Sequence, residues 1–441
     1  MASTQLTRSV TTTGNQRTWT ISVWVKRSKL GSNQFIFSAK NVGETTLYFR
    51  SQDDLQLELY DGNNYYIRTN RLFRDTNAWY HIVAIWDSIR PTNTDRMRLY
   101  VNGVQETSLS AAVYPPQNYD SYVNQSGETN RIGNYAPAGT DFFDGSMSHF
   151  HLIDGNDYNA SYFGEYDANG VWKIITEPSV TYGTNGFFIL KDGNSVTDQS
   201  GNGNNFTVAS GTLTNTEDCP SNVFATLNRL DVSAGTPAGL INGNNTYNKT
   251  ATGNGTNGAR LATIAPSSGK WYWEFKPADS VSVILGFART NHLNATAGLN
   301  GWIGEDVGTF GIRPNGNKII AGSESSASYS FTTNDILGFA MDLDNNKFYV
   351  HKNGTYYNSG DPTSGSTGTG SIGNITAGNN YAPLVQNNSY NETNVVHCNF
   401  GNGYFETTAV SSAGTNASGI GIFEYDVPTG YTALSTKGLN E

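Results

Sequence analysis

The 441 residues carry a formal charge of −10, with only 15% charged and 12% aromatic residues, 48 glycines and 25 tyrosines. No Lys/Arg cluster is present to displace counterions from phosphates, and no apolar run approaches bilayer-spanning length. These features argue against nucleic acid as a partner, and insertion into a membrane is not expected.

The length fits two to three domains, and the loop-rich, Asn/Gly-rich composition suits β-structure. No window sustains apolar residues at i, i+3, i+4 and i+7 over an ordinary helix length, so helix should be confined to short turns. Residues 159–166 read as one such turn. Cys219 and Cys398 fall in different predicted domains, which excludes a disulfide framework of the small-secreted-domain kind. Cys398 reads as a small buried hydrophobe.

In chain order, the first strong segments are WTISVWVKR at 19–27 and residues 55–60, where Leu55, Leu57 and Leu59 alternate with Gln56, Glu58 and Tyr60. WYHIVAIWD follows at 79–87, then RMRLYVNGV at 96–104. In the latter, Met97, Leu99 and Val101 share a face, and Asn102-Gly103 is a favoured two-residue hairpin turn. Further strands are expected at 147–153 and 186–191. These segments resemble the concanavalin A-like (laminin-G-like) lectin sandwich.

Metal and catalytic patterns are thin. His149 and His151 would share a strand face, but no third ligand is placed beside them. Asp154, Asn156, Asp157 and Glu165 match a calcium loop in oxygen content only, and an Asx turn is the favoured reading. Because laminin-G-like domains sometimes hold calcium at loop carboxylates, the resemblance leaves calcium as the one cofactor in view; otherwise none is expected. GNGTNG at 253–258 and GTGSIG at 368–373 lack the strand-to-helix context of a dinucleotide site.

Glycoside hydrolysis would need paired carboxylates. Glu58 stands alone on its strand, Glu305 and Asp306 would point to opposite faces, and no G-x-S-x-G elbow occurs. The expectation is a protein that is not an enzyme, with a polysaccharide depolymerase kept as a third reading.

The second half is patterned as clearly. Trp271, Trp273 and Phe275 alternate with Tyr272 and Glu274. Residues 336–343 and 347–352 flank the turn formers Asp344, Asn345 and Asn346, and Asn353-Gly354 closes the next turn. Val396, Cys398 and Phe400 would share the face of a late strand. GKWYWEF, DILGFAMDLDNNKFYVHKNG, YAPLV and VVHCNFGNG, in this order, resemble the SPRY (B30.2) fold, which implies recognition through loops. Residues 364–373 read as an exposed, mobile loop, and 424–435 as a segment able to fold back on this domain.

The fold expected is all-β: two antiparallel jelly-roll-like sandwiches in tandem, at 1–195 and 245–405. A Gly/Asn-rich connector at 196–244 packs on the first, and an extended tail occupies 406–441. The joint order, including FGEYDANGVWK, YGTNGFFILKD, DQSGNGNN and the closing YDVPTGYTALSTKGLNE, resembles structural proteins of tailed bacteriophages, especially of marine bacteria.

That resemblance implies a virion-surface protein, a tail fibre or capsid decoration, that binds host-surface glycan and other virion proteins, with homo-oligomerisation expected. The N-terminus MASTQLTRSV has no hydrophobic signal region, so synthesis in a host cytoplasm is expected. Candidate ligand-binding residues are Asn63, Asn64, Tyr65 and Tyr66 in the first domain and Trp302, Tyr356 and Tyr357 in the second: loop aromatics to stack on sugars, and amides to meet hydroxyls. Avidity from many copies would multiply weak single sites. The rival reading is a purely structural virion protein.

Overall fold

The computed structural model describes residues 3–40, 44–135, 140–191, 195–230, 239–249, 258–279, 282–290, 307–387 and 392–440. Its regular secondary structure is nearly all strand, and helix among the described residues is limited to short 3₁₀ turns such as Asn93–Asp95 and Ala160–Tyr162. The chain divides into two compact units, Met1–Asn215 and Thr216–Glu441. Residues 196–215 thus belong with the first unit and 216–244 with the second, rather than forming one connector on the first.

The first unit is a sandwich of an eight-stranded and a six-stranded sheet among the described residues. The larger sheet runs from Leu109–Val113 at one edge through Asn64–Thr69, Leu55–Tyr60, Glu44–Phe49, Gln34–Ala39, Thr129–Ile132 and Gln5–Ser9 to Thr207–Ser210. The smaller orders Phe187–Ile189, Gly145–Asp154, Thr18–Arg27, Trp79–Asp87, Met97–Val101 and Val104–Gln105. Side chains alternating along each strand meet in the middle: Leu47, Leu55, Leu57 and Leu59 from one sheet, Trp19, Ile21, Val23, Trp86 and Leu99 from the other. Asn102 and Gly103 turn at φ 47° and 85°, as a type I′ hairpin requires.

Every residue of Thr18–Arg27 is buried, because the six-stranded sheet is covered on its second face too. Residues 155–182 do this, with Ala160, Phe163 and Trp172 packing on Val83, Ile85 and Ile153. The cover opens with the expected turn, in which the Asn159 side chain accepts from Ser161 N at 3.0 Å, but Gly164–Tyr166 is strand, paired with Trp172–Ile174.

Beneath the cover lies His81, fully buried and held by burial at a pKa of about 3. Its Nδ1 accepts from Trp172 Nε1 at 3.0 Å, so its proton is on Nε2 and is donated to Ser22 Oγ at 2.9 Å. His149 and His151 do not share a regular strand face: the ladder slips between Ser148 and His151, and His149 has φ 50°.

In the second unit, the larger sheet orders Gly239–Ile241, Thr246–Lys249, Asn394–Asn399, Lys270–Pro277, Leu337–Asp342, Lys347–Lys352 and Thr355–Tyr356. Thr432–Ala433 adds in parallel beside Lys270–Pro277. The facing sheet orders Ala259–Leu261, Tyr381–Asn387, Val283–Arg289, Thr309–Ile312, Lys318–Ile320 and Ser323–Ser325. Trp271, Trp273, Phe275, Val396, Cys398 and Phe400 all enter the core between them, on the alternation expected. Burial pushes the Cys398 thiol well up, which leaves it inert.

Tyr272 and Glu274 point to the other face of the larger sheet, where Phe423, Val427 and Tyr431 cover Tyr272, Ala340 and Tyr349. The carboxylate of Glu274, fully buried, accepts from Tyr425 N at 2.9 Å, Glu424 N at 3.0 Å, Tyr272 Oη at 3.1 Å and Asn399 Nδ2 at 3.1 Å. Residues 364–373 are not a free loop: Pro362 and Ile372 are buried, the Asp361 side chain accepts from Thr363 N, and Tyr431 Oη donates to the Pro362 carbonyl.

Candidate functional site

In the first unit, the outer face of the eight-stranded sheet carries a cluster of polar side chains, partly covered by Asn134 and Tyr135. Strand alternation and register decide what it carries. In Glu44–Phe49, residues Thr45, Leu47 and Phe49 point inward, so Glu44, Thr46 and Tyr48 point out; in Leu55–Tyr60 the outward set is Gln56, Glu58 and Tyr60. The ladder pairs Thr46 with Glu58, Glu58 with Tyr66, and Tyr48 with Gln56. Glu44, opposite Tyr60, is therefore the diagonal neighbour of Glu58.

These side chains form a connected polar array. Arg68 Nε donates to Gln56 Oε1 at 2.8 Å, Gln56 Nε2 donates to Glu58 Oε2 at 2.7 Å and to Tyr48 Oη at 2.8 Å, and Tyr48 Oη donates to Glu58 Oε2 at 2.9 Å. Tyr135 Oη donates to Glu44 Oε1 at 2.9 Å. Burial pushes the Glu44 carboxyl up to about 7, against the Tyr135 hydrogen bond and with the help of nearby Glu58. Burial, reinforced by Glu44, also raises Tyr135 to about 12.

Aromatic rings adjoin the array. Phe35 stacks on Tyr48 with centroids 4.4 Å apart and planes 4° from parallel, and Tyr135 leans on Phe35 at 4.6 Å. Tyr66 lies on the far side of Glu58, with the Arg68 guanidinium 5.2 Å above its ring. At the centre, the Thr46 hydroxyl is 1% exposed and has no hydrogen-bond partner among the described residues. A buried hydroxyl without a partner costs stability unless water or a ligand meets it.

The candidates read from sequence are placed unevenly. Tyr66 joins this face, and Asn64 lies at its margin opposite Tyr60. Asn63 is in the preceding turn, donating through N and Nδ2 to Asp61 Oδ1. Tyr65 alternates inward, packs on the core and meets Tyr119 edge-on at 5.0 Å, so it does not belong to the face. Tyr356 and Tyr357 turn to opposite sides: Tyr356 sits against His351 under the tail segment, while Tyr357 packs on Tyr329 at 5.0 Å and donates to the Ser330 carbonyl. Trp302 lies outside the described residues, as do Glu305 and Asp306.

Sequence reading missed Glu44, Tyr48, Phe35 and Tyr135. The alternation in TTLYF was a usable signal for Tyr48, but the Glu44/Glu58 adjacency exists only once strand register is known.

The acidic loop residues considered for calcium are engaged with protein donors. Asp154 accepts from Asn15 N at 2.7 Å, Asn185 N at 2.9 Å and Asn124 Nδ2 at 3.1 Å, and Asp157 pairs with Arg90 and Arg98. No group of three or more His, Cys, Asp or Glu side chains has metal-holding spacing among the described residues. DQSGNGNN is a structural knot: the Asp198 carboxylate accepts from Phe188 N, Ser200 N and Asn204 N, while Asn202 and Asn204 donate to the Gly186 carbonyl.

Residues 2–156 match the family model of the Concanavalin A-like lectin/glucanases superfamily. No curated protein sequence matches the chain. Among solved structures, the chain is similar to the SPRY domain of human HERC1 at 16% identity and a TM-score of 0.30, over 39% of this chain and 96% of that one. It is also similar to the native heptameric SAP-like pentraxin from Limulus polyphemus at 21% identity and a TM-score of 0.27, over 35% and 71% of the two chains. A third likeness is to the TRIM65 PSpry domain, at 15% identity and a TM-score of 0.28, over 40% and 91%.

Proposed function

We propose that the chain is a glycan-binding protein of a virion surface whose first unit takes host glycan on the outer face of its eight-stranded sheet. The observation that carries this reading is the Glu44–Thr46–Tyr48–Gln56–Glu58–Tyr66–Arg68 array. It offers fixed donors and acceptors for sugar hydroxyls, and rings at both sides for the apolar faces of pyranoses. The match of residues 2–156 to a lectin/glucanase superfamily supports the glycan class, and the motif order supports the virion setting. Single sites of this kind are weak, so attachment to other virion proteins in many copies supplies avidity.

Recombinant chain is expected to adsorb to host cells and to compete with particle adsorption, and polysaccharide stripped from those cells should abolish both effects. A chain that neither adsorbs nor competes would leave only a structural virion role.

One observation favours a second reading, cleavage of the bound glycan. Glu44, which holds its proton up to about pH 7, lies diagonal to Glu58, which already receives two hydrogen bonds. Carboxyls whose environments differ in this way serve as acid and base in glycoside hydrolysis. New reducing ends on incubation with host polysaccharide, absent in Glu58→Gln, would establish it.

A further inference from the structure

Cys219 and Cys398 are both free, so no disulfide links them. The second unit nevertheless places another pair of reactive side chains opposite each other. Thr246–Lys249 runs antiparallel beside Asn394–Asn399, with Tyr247 opposite Val396 and Lys249 opposite Asn394. Tyr247 and Val396 lie in the core between the two sheets. Alternation sends Lys249 and Asn394 to that same side, and side chains directly opposite on paired strands have Cβ atoms about 4.5–5.5 Å apart.

Their surroundings exclude water. Lys249 is 5% exposed, and Asn394 is fully buried, as is Asn387 at the end of a strand of the facing sheet. Asn394 Nδ2 donates to Asn387 Oδ1, a bond that crosses from one sheet to the other and fixes the plane of the amide. Asn394 Oδ1 has no hydrogen-bond partner among the described residues. Burial holds the Lys249 ammonium below its ordinary pKa, against the attraction of the Glu392 carboxylate two positions before Asn394. A lysine shifted in this direction carries more of its amine in the neutral, nucleophilic form.

We propose that Lys249 and Asn394 condense to an isopeptide bond, a covalent staple between two strands of the second sandwich. The Lys249 Nζ lone pair attacks Asn394 Cγ; the Nζ–Cγ bond forms and the Cγ–Nδ2 bond breaks. One Nζ proton passes to Nδ2, with the Glu392 carboxylate as its carrier, and ammonia leaves. Nothing is oxidised or reduced, and no co-reactant is consumed. Strand pairing supplies the proximity that such a condensation lacks in solution, and burial keeps water from competing for the carbonyl.

The bond closes residues 249–394, which hold most of the second sandwich. A cross-link over so long a segment restricts the unfolded chain far more than the folded one. Because it lies in the second unit, it stands apart from the glycan reading of the first.

The test is intact-mass measurement and peptide mapping of the purified full chain, denatured beforehand. The expected mass is one ammonia below that of the sequence, with the Lys249 and Asn394 peptides of a protease digest travelling as one branched species. Lys249→Arg and Asn394→Ala should each restore the full mass, and Glu392→Gln should slow ammonia loss in freshly made protein by roughly 100-fold or more. Full mass in the wild type overturns the proposal. So does an ammonia loss that maps to another asparagine, such as an Asn-Gly pair closing to a succinimide. An unslowed Glu392→Gln overturns the proton path. Should Lys249→Arg or Asn394→Ala fail to fold, the presence or absence of the branched peptide in the wild type decides alone.

Discussion

Glu44 and Gly338 show how single residues answer to their neighbours. Glu44 has a folded-state pKa of about 7 against an ordinary 4.5, so it favours the folded state fully below pH 4.5 and loses that contribution as pH rises to about 7. Glu44→Gln should therefore gain stability relative to wild type between pH 5 and pH 8, as read by urea unfolding at the two values. His81 acts in the opposite sense: its depressed pKa gives stability that is present above 6.5 and lost as pH falls toward 3.

At Gly338 an added Cβ would lie 1.9 Å from His351 Nε2 and 2.4 Å from Tyr272 Oη, both buried. Gly338→Ala should cost about 1–3 kcal/mol, the usual range for overpacking, measurable by chemical denaturation.

At the scale of elements, both units solve the same problem in different ways. A sheet whose second face is apolar must be covered, and the first unit uses residues 155–182 while the second uses a segment from its own C-terminus. Glu274 is the anchor of the latter. All four of its partners are donors, because Gly354 N donates to His351 Nδ1, which places the His351 proton on Nε2 facing Tyr272. An amide at 274 would oppose some of those donors with its own. Glu274→Gln should cost about 1–3 kcal/mol, the scale of a buried polar group left unmatched, and limited proteolysis should then cut residues 411–435 sooner than in wild type.

Much of this architecture was legible in the sequence, for a physical reason. Alternation such as Leu55-Leu57-Leu59 and Trp271-Trp273-Phe275 reports which side chains meet water, and Asn102-Gly103 and Asn353-Gly354 encode positive φ directly. The site was only partly legible. Tyr66 was singled out beside Tyr65, yet the two differ by one position on a strand, and that sends one to the outer face and the other into the core. Glu44 and Glu58 become neighbours through the pairing of Thr46 with Glu58, a non-local fact that neither segment states alone. The two-sided burial of Thr18–Arg27 likewise depends on a cover more than a hundred residues away.

At the scale of the whole molecule, the chain is two units that each bury their own core, joined in sequence at Asn215 and Thr216. Residues 1–215 and 216–441, produced separately, should each fold and unfold cooperatively, and calorimetry of the pieces tests this. The glycan reading belongs to the first unit, so the piece 1–215 should retain binding and the piece 216–441 should lack it.

The most direct test is adsorption of the full chain to host-cell polysaccharide, comparing wild type with Tyr48→Ala and Glu58→Ala on the outer face and Tyr357→Ala in the second unit. At least a tenfold loss of affinity is expected for each face variant and no change for Tyr357→Ala. Equal adsorption by all four proteins would contradict it.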